Sequence, residues 1–373
     1  MQMLRQSWLP VSLFWVLAGA VVAVPSPTQA SQQIRTKWVE PLGVHPIMRE
    51  WRPAQRSAPL VLGDRTFVGT RRGDVWALSK HTGRPSWKVA LGDGMDASLG
   101  TDGRRLFAGT VTGGVYALDP ANGELQWRYW AGQEILGRPE VYKDLVLFTT
   151  ANNQVVALRR SDGEWVWQYA RGDDPSISIR GAAGLAVHED SAYTGFSDGS
   201  VVRLDAATGR VVWQQRQVGE ERLFDVDATP VIVDGRLYAV VFGSRLLALN
   251  VDDGRVEWSV SVSAREAPLV HAGTIYVGTL DGRLHTYDAA TGSPGWSIQV
   301  GREALSTPVE YGGVLYVTDS ESGLTALRVD DGEILGRYTR MVSGVLTPPV
   351  VTSEGVFVVS NLGHMYRFRH IRP

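Results

Sequence analysis

A turn that contains glycine, followed four residues later by tryptophan, occurs six times along this chain of 373 residues. The six pairs are Gly83–Trp87, Gly123–Trp127, Gly163–Trp167, Gly209–Trp213, Gly254–Trp258 and Gly292–Trp296. Successive glycines lie 40, 40, 46, 45 and 38 residues apart, and a seventh turn at Asp331-Gly332 keeps the period with Gly336 in place of tryptophan. A period of this length is typical of one four-stranded blade of a β-propeller.

Each period contains the same short apolar segments separated by tight turns. Val115–Leu118 and Leu246–Leu249 are examples of the segment before the glycine turn, and a hairpin turn joins each to an earlier apolar segment such as Ile275–Gly278. Most periods begin with a proline, which cannot donate to a β-ladder and therefore suits the start of a strand or an edge strand. This position fits the innermost strand, which lines the channel of a propeller.

Eight such inner strands can be counted, beginning near Pro59, Ala97, Pro139, Ala183, Pro230, Pro268, Pro308 and Pro348. The last period has only three strands before the chain ends, and the N-terminal segment Ile34–Val39 carries a matching Trp38. The sequence therefore predicts an all-β fold: one eight-bladed propeller of four-stranded antiparallel blades over residues 31–373. The N-terminal strand completes the last blade, so the ring closes and its edges are protected.

The repeated tryptophans are interpreted as structural. A large indole at a fixed place in each blade buries about 150–250 Å² and can fill the seam between neighbouring sheets. The set is Trp38, Trp87, Trp127, Trp167, Trp213, Trp258 and Trp296.

The first thirty residues differ from the rest of the chain. Arg5 is their one charged side chain, an apolar stretch covers Trp8–Val24, and Thr28-Gln29-Ala30 resembles a cleavage site. This pattern predicts a secretory signal peptide over residues 1–30, with an uncleaved membrane anchor as the alternative. The expected location is the periplasm or the cell exterior rather than the cytoplasm.

Composition excludes several classes of function. The sequence contains no cysteine, so disulfides, thiolate metal sites and a lipid-bearing cysteine are excluded. The formal net charge is −2 and no run of lysine and arginine occurs, which argues against nucleic-acid binding. The seven histidines are dispersed, and neither a His-Glu-x-x-His pair nor a nucleophile elbow is present. We therefore expect no catalytic residues, no metal and no cofactor.

Two neighbouring connectors between blades are longer than the others. They follow Trp167 and Trp213, and they contain residues 173–181 and 219–227. A third long segment, residues 41–56, carries Trp51. Irregular loops are where a propeller is expected to carry its function, because its strands are committed to packing.

Five residues of the two connectors are candidates for partner binding: Ile177, Ile179, Arg180, Asp225 and Asp227. The two isoleucines alternate and would share one face of an extended segment, and an apolar pair beside arginine is typical of a protein–protein hot spot. The isoleucines could equally begin an inner strand and face the core. The aspartates could pair with Arg180, cap a turn or contact the partner.

The repeats resemble those of the pyrroloquinoline-quinone-type propeller superfamily over essentially the whole mature chain. Three segments, Ile177–Gly181, Val212–Arg216 and Arg222–Pro230, more specifically resemble the BamB family of outer-membrane protein assembly factors. The resemblance implies a periplasmic accessory subunit that docks on the POTRA domains of BamA and assists unfolded outer-membrane protein clients. It also places docking positions on the five candidate residues. Typical members carry a lipid-anchoring cysteine, and this chain departs from them there.

Two other functions remain open at this stage. The same superfamily contains quinone-dependent dehydrogenases, although those are generally much longer and many carry adjacent cysteines at the cofactor. A propeller that binds another envelope protein, a peptide or a sugar would have the same repeats, because fold alone does not define function.

Overall fold

The computed structural model describes residues 32–43, 55–171, 183–216, 225–321, 323–341 and 343–373. Within these ranges the regular secondary structure consists entirely of β-strands. No helix long and apolar enough to cross a membrane is present among them. The expected signal peptide, Trp51, Ile177, Ile179 and Arg180 lie outside the described residues.

The strands of the first half of the ring follow the order that the repeat predicts. Two strands precede the first blade: β1 (Gln32–Gln33) and β2 (Thr36–Pro41). Blades 1 and 2 contain β3 (Leu60–Leu62), β4 (Arg65–Gly69), β5 (Asp74–Ser79), β6 (Pro85–Ala90), β7 (Gly100–Thr101), β8 (Leu106–Gly109), β9 (Gly114–Leu118) and β10 (Leu125–Trp130). Blades 3 and 4 contain β11 (Glu140–Tyr142), β12 (Leu145–Thr150), β13 (Gln154–Arg159), β14 (Trp165–Ala170), β15 (Ala186–His188), β16 (Ser191–Gly195), β17 (Ser200–Asp205) and β18 (Val211–Arg216).

The second half continues in the same way. Blades 5 and 6 contain β19 (Val231–Val233), β20 (Arg236–Val241), β21 (Arg245–Asn250), β22 (Val256–Ser261), β23 (Leu269–His271), β24 (Thr274–Gly278), β25 (Arg283–Asp288) and β26 (Pro294–Gln299). Blades 7 and 8 contain β27 (Val309–Tyr311), β28 (Val314–Asp319), β29 (Gly323–Arg328), β30 (Ile334–Tyr338), β31 (Val350–Thr352), β32 (Gly355–Val359) and β33 (His364–Phe368).

Eight separate antiparallel sheets result, one for each predicted blade. At six of the eight junctions between blades the first strands of the two neighbours lie side by side, as β11 does with both β7 and β15. The inner strands therefore surround the axis of the ring, and the fourth strands lie at its rim. This arrangement confirms the eight-bladed propeller.

The N-terminal strand closes the ring as predicted. Strand β2 pairs antiparallel with β33, with Trp38 opposite Arg367, and so supplies the fourth strand of blade 8. The short strand β1 was not predicted: it pairs in parallel with β30, with Gln32 opposite Gly336, and makes blade 7 five-stranded.

The hydrophobic core is divided among the seams between blades. Eight apolar clusters are present among the described residues, and each combines side chains of two neighbouring blades. One of them joins Leu147 and Trp167 of blade 3 to Phe196 and Leu204 of blade 4. The second and third strands are buried on both faces, whereas the fourth strands alternate between exposed and half-buried residues. Each blade is therefore stabilised mainly by its two neighbours.

Seven of the eight seams share one contact between tryptophan and glycine. The indole of each repeat tryptophan lies against the turn glycine of the following blade, at seven glycines: Gly83, Gly123, Gly163, Gly209, Gly254, Gly292 and Gly332. Four indoles also donate a hydrogen bond to a carbonyl three residues before that glycine, for example Trp213 Nε1 to Val251 O at 2.9 Å. The turn glycines have positive φ, which glycine adopts readily. Each seam therefore requires both members of the pair.

The eighth seam, between blades 7 and 8, has no such pair and is filled by the two ends of the chain. Ile34 and Ile371 are buried there beside Phe368 in one apolar cluster. The Ile371 amide donates a hydrogen bond to the Tyr316 hydroxyl at 3.1 Å, and the His370 ring stacks on Tyr311 with centroids 4.6 Å apart.

The tryptophan–glycine contact can be measured with two glycine substitutions. Gly254 and Gly235 both have positive φ, 73° and 75°. A Cβ at Gly254 would lie 2.6 Å from the Trp213 ring, whereas one at Gly235 would meet nothing within 4 Å. Both alanine variants are destabilised by about 1–2 kcal/mol, because alanine must adopt a left-handed backbone conformation. Gly254→Ala is destabilised by about 1–3 kcal/mol more, because its Cβ displaces Trp213. We expect a clearly lower urea midpoint for Gly254→Ala than for Gly235→Ala; equal midpoints would contradict the role given to the contact.

Candidate partner-binding site

The two long connectors join blade 3 to blade 4 and blade 4 to blade 5. The first runs from the end of β14 to β15 and the second from the end of β18 to β19. Residues 172–182 and 217–224 lie outside the described part of the chain, and with them the candidates Ile177, Ile179 and Arg180. The described part of the second connector, residues 225–230, includes Asp225 and Asp227.

Val226 fixes this segment between blades 4 and 5. Its amide donates a hydrogen bond to Phe196 O at 3.2 Å, and its fully buried side chain packs against Gly195. The carbonyl of Asp225 accepts a hydrogen bond from the amide of Phe242 in blade 5 at 2.8 Å. Met95 and Ile135 hold the matching place in earlier connectors, because their amides make the same bond to Thr70 O and Thr110 O, both at 3.1 Å. The two aspartates therefore flank a repeating anchor of the fold.

The two aspartates differ in exposure. Asp225 is only 1% exposed, whereas Asp227 is half-buried. Asp227 is thus the more accessible of the two carboxylates, and Asp225 lies beneath it in the connector.

Asp227 carries an uncompensated carboxylate oxygen. Its Oδ1 is buried and has no hydrogen-bond partner among the described residues. Burial raises the pKa of the Asp227 carboxyl from 3.8 to about 7, the charge of Asp225 acts in the same direction, and Arg265 opposes both. A carboxylate in this position gains from any cation or donor that approaches it.

A comparison within the chain shows that this situation is unusual. Asp96 follows the anchor Met95 as Asp227 follows Val226, and Arg71 forms an ion pair with Asp96 inside the protein. Near Asp227 the arginine is Arg265, whose Nε lies 3.0 Å from Glu266 Oε1. The site therefore combines one incompletely neutralised carboxylate with an Arg–Glu pair, an arrangement suited to a charged group of a partner.

The sequence did not point to Arg265 and Glu266. They lie in the short connector that leads to β23, and connector length was the signal that selected the other candidates. Their proximity to Asp227 depends on the packing of blade 5 against blade 6, which a single repeat does not reveal.

Comparison with known proteins identifies one matching family model. A family model described as outer membrane protein assembly factor BamB matches residues 71–279 and 244–343. The BamB proteins of Yersinia pestis and Escherichia coli K12 are 33% and 29% identical to this chain over 203 and 201 residues. The alignments cover 52% of this chain and 52% and 51% of those proteins, so the chain spans about half the length of the curated relatives it matches.

Solved structures show the fold more broadly. BamB from Moraxella catarrhalis superposes with a TM-score of 0.77 and 24% identity, over 90% of this chain and 100% of that one. Quinohemoprotein alcohol dehydrogenase from Comamonas testosteroni gives a TM-score of 0.73 and 15% identity, over 91% of this chain and 78% of that one. The two TM-scores are similar, so the fold does not separate the assembly factors from the dehydrogenases. The family model does, because its matches extend from residue 71 to residue 343, more than half of the 373 residues, and the chain therefore belongs to the BamB family.

Proposed function

We propose that this chain is a non-catalytic periplasmic scaffold that assists the assembly of outer-membrane β-barrel proteins. The observation that carries the proposal is the match of the BamB family model between residues 71 and 343. The relatives in that family are named as outer-membrane protein assembly factors. In this proposal residues 1–30 direct export, residues 31–373 form the working propeller, and the protein reaches the inner face of the outer membrane through its partner.

The proposed partner surface is formed by the two long connectors, and the proposed partner is the set of POTRA domains of BamA. Ile177 and Ile179 supply apolar contact area, and Arg180 supplies a fixed positive charge. Asp227 accepts a donor from the partner, and the buried Asp225 holds the segment in place. Asp227 supports this assignment, because its Oδ1 has no hydrogen-bond partner among the described residues and a donor from the docked partner would supply one.

The rigid ring contributes by holding the connectors in register before the partner arrives. Val226 ties the second connector to blades 4 and 5 through backbone and side-chain contacts. Preorganised loops lose less conformational entropy on binding than loops that must first be ordered. Clients of the assembly machinery could also contact the propeller, and the same preorganised surface would then serve two partners.

Truncation of the hot-spot candidates should weaken docking. We expect Ile179→Ala and Arg180→Ala each to lower the affinity for purified POTRA domains by about 2 kcal/mol, or about 30-fold, as hot-spot truncations typically do. The matched control is Arg302→Ala, an exposed arginine in the connector that leads to blade 7. Titration calorimetry with the mature protein measures the affinities, and circular dichroism checks the fold.

Two results would overturn this proposal. If Ile179→Ala and Arg180→Ala bind as tightly as Arg302→Ala, the site is wrong. If the native chain does not bind the POTRA domains and instead retains pyrroloquinoline quinone with calcium, seen by its absorbance after gel filtration, the scaffold function is wrong.

Asp227 gives a prediction with a defined sign. Because its pKa is about 7 in the fold and near 3.9 in the unfolded chain, the folded state binds more protons between these values, and stability falls as pH rises from about 4 to about 7. Asp227→Asn cannot ionise, so its melting temperature should exceed that of the native protein at pH 8, and the two should differ much less at pH 5. The same variant should dock more weakly.

Asp281→Asn is the control for this measurement. Hydrogen bonding to the Thr279 hydroxyl lowers the pKa of the Asp281 carboxyl, so this group is ionised at both pH 5 and pH 8. Its effect on melting temperature should be the same at both values. Destabilisation by Asp227→Asn at pH 8 would show that Asp227 is a structural residue and not a binding residue.

A further inference from the structure

The repeat changes at the residue that follows the fourth strand of blade 3. In five other blades this position holds an apolar side chain: Leu42, Leu91, Ala131, Val262 and Val300. The equivalence is structural, because each of these residues donates its amide hydrogen to a carbonyl in the turn between the second and third strands of its own blade. In blade 3 the residue is Arg171, whose amide makes the same bond to Asn153 O at 3.2 Å.

The side chain of Arg171 crosses from blade 3 to blade 4 and meets Asp198. Asp198 lies in the turn between β16 and β17, and its carboxylate is only 6% exposed. Arg171 Nη2 forms an ion pair with Asp198 Oδ2, and Arg171 Nη1 donates to the hydroxyl of Ser200. The Gln214 side-chain oxygen, in the amide orientation that satisfies both of its ends, lies 2.6 and 2.9 Å from the two terminal nitrogens of Arg171. The guanidinium is therefore held from several sides.

A second arginine approaches the same carboxylate. Arg216 is the last residue of β18, and its Nε lies 3.9 Å from Asp198 Oδ2. The other oxygen, Oδ1, accepts hydrogen bonds from the Ser200 amide at 3.1 Å and from the Ser200 hydroxyl at 2.6 Å. The residues that match Arg216 in blades 1, 2, 3, 5 and 6 are Ala90, Trp130, Ala170, Ser261 and Gln299. Both arginines therefore depart from the repeat, and both turn toward one buried carboxylate.

The two arginines mark the starts of the two long connectors. Arg171 directly precedes residue 172, and Arg216 directly precedes residue 217. A further contact joins the same turns, since the side-chain Nδ2 of Asn153 in blade 3 donates to the Ser197 hydroxyl of blade 4 at 3.0 Å. Asp198 thus lies where the first residues of both connectors are held relative to each other.

We propose that Asp198 is a positioning residue for the docking surface: it fixes the starts of both long connectors by pairing with Arg171 and Arg216. The part of this inference that concerns docking rests on the proposed function. Removal of this buried carboxylate deprives Arg171 and the more exposed Arg216 of the acidic group that they share, so the ends of β14 and β18 become less constrained. Asp198 touches no partner in this arrangement and acts through the two arginines.

The test compares Asp198→Asn with Asp281→Asn, which changes the matching turn of blade 6. Hydrogen exchange followed by mass spectrometry reports each segment without any partner. We expect peptides that cover residues 165–171 and 211–216, which end at the two arginines, to exchange at least about threefold faster in Asp198→Asn and to be unchanged in Asp281→Asn, because local opening is governed by local contacts. The affinity for POTRA domains should fall about tenfold in Asp198→Asn only, about 1.4 kcal/mol.

Arg171→Gln serves as a second variant if Asp198→Asn fails to fold by circular dichroism. It removes one of the two ion pairs and leaves the buried carboxylate with Arg216 and Ser200. Where Asp198→Asn folds, a double-mutant cycle adds a check: the effects of Asp198→Asn and Arg171→Gln on exchange should be less than additive, since both remove the same contact. Independent, additive effects would contradict the shared mechanism.

The outcomes separate this inference from the proposed function. Faster exchange together with weaker docking supports both. Faster exchange with unchanged affinity supports the positioning role and overturns the docking site. Unchanged exchange in both segments, 165–171 and 211–216, overturns the positioning role, whatever the affinity.

Discussion

The contact between an indole and the turn glycine of the next blade is the constraint on which the rest of this structure depends. It recurs at seven seams, and at four of them the indole nitrogen also donates to a carbonyl of the next blade. Glycine is required for two reasons: its φ is positive, and a Cβ would collide with the indole ring. Seven of the eight seams are thereby fixed at the fourth strand, where the indole also packs with the apolar cluster of the seam. Connectors can then vary in length without loosening the ring.

The seam without this pair shows what replaces it. Gly336 stands where tryptophan is expected, and a strand passes beside it in parallel. Ile34, Phe368 and Ile371 are buried together in the apolar cluster of this seam. The closing seam therefore gains its apolar contacts from segments at opposite ends of the chain. Such long-range contacts form late in folding, because a long loop must close first.

Much of this fold could be predicted from the sequence because the information is local and repeated. The Gly–Trp spacing and the prolines before the inner strands gave the blades, and Trp38 gave the closing strand. Strand β1 could not be predicted, because Gln32–Gln33 has no apolar pattern and its pairing depends on Gly336, about 300 residues away.

The candidate site was only partly accessible to the same reasoning. Connector length and the resemblance selected Asp225 and Asp227, but neither signal predicts how deeply a side chain is buried. In the structure Asp225 is buried. The pairing of Arg171 with Asp198 was missed because it joins two blades, and periodicity describes one blade at a time. What the sequence offered there was a departure from the repeat, an arginine at a position that is apolar in five other blades.

The distribution of buried charge connects the fold to its use. Buried carboxylates occur at several places in the ring, including Asp96 and Asp319, and two of them, Asp198 and Asp225, lie beside the same two connectors. Buried ion pairs contribute little net stability compared with apolar packing, so stability alone does not explain them. They do impose direction: a carboxylate between two guanidinium groups allows far fewer arrangements than an apolar contact of equal size. In a ring that tryptophan and glycine already hold together, the added requirement is a defined geometry at the loops, and charged groups supply it.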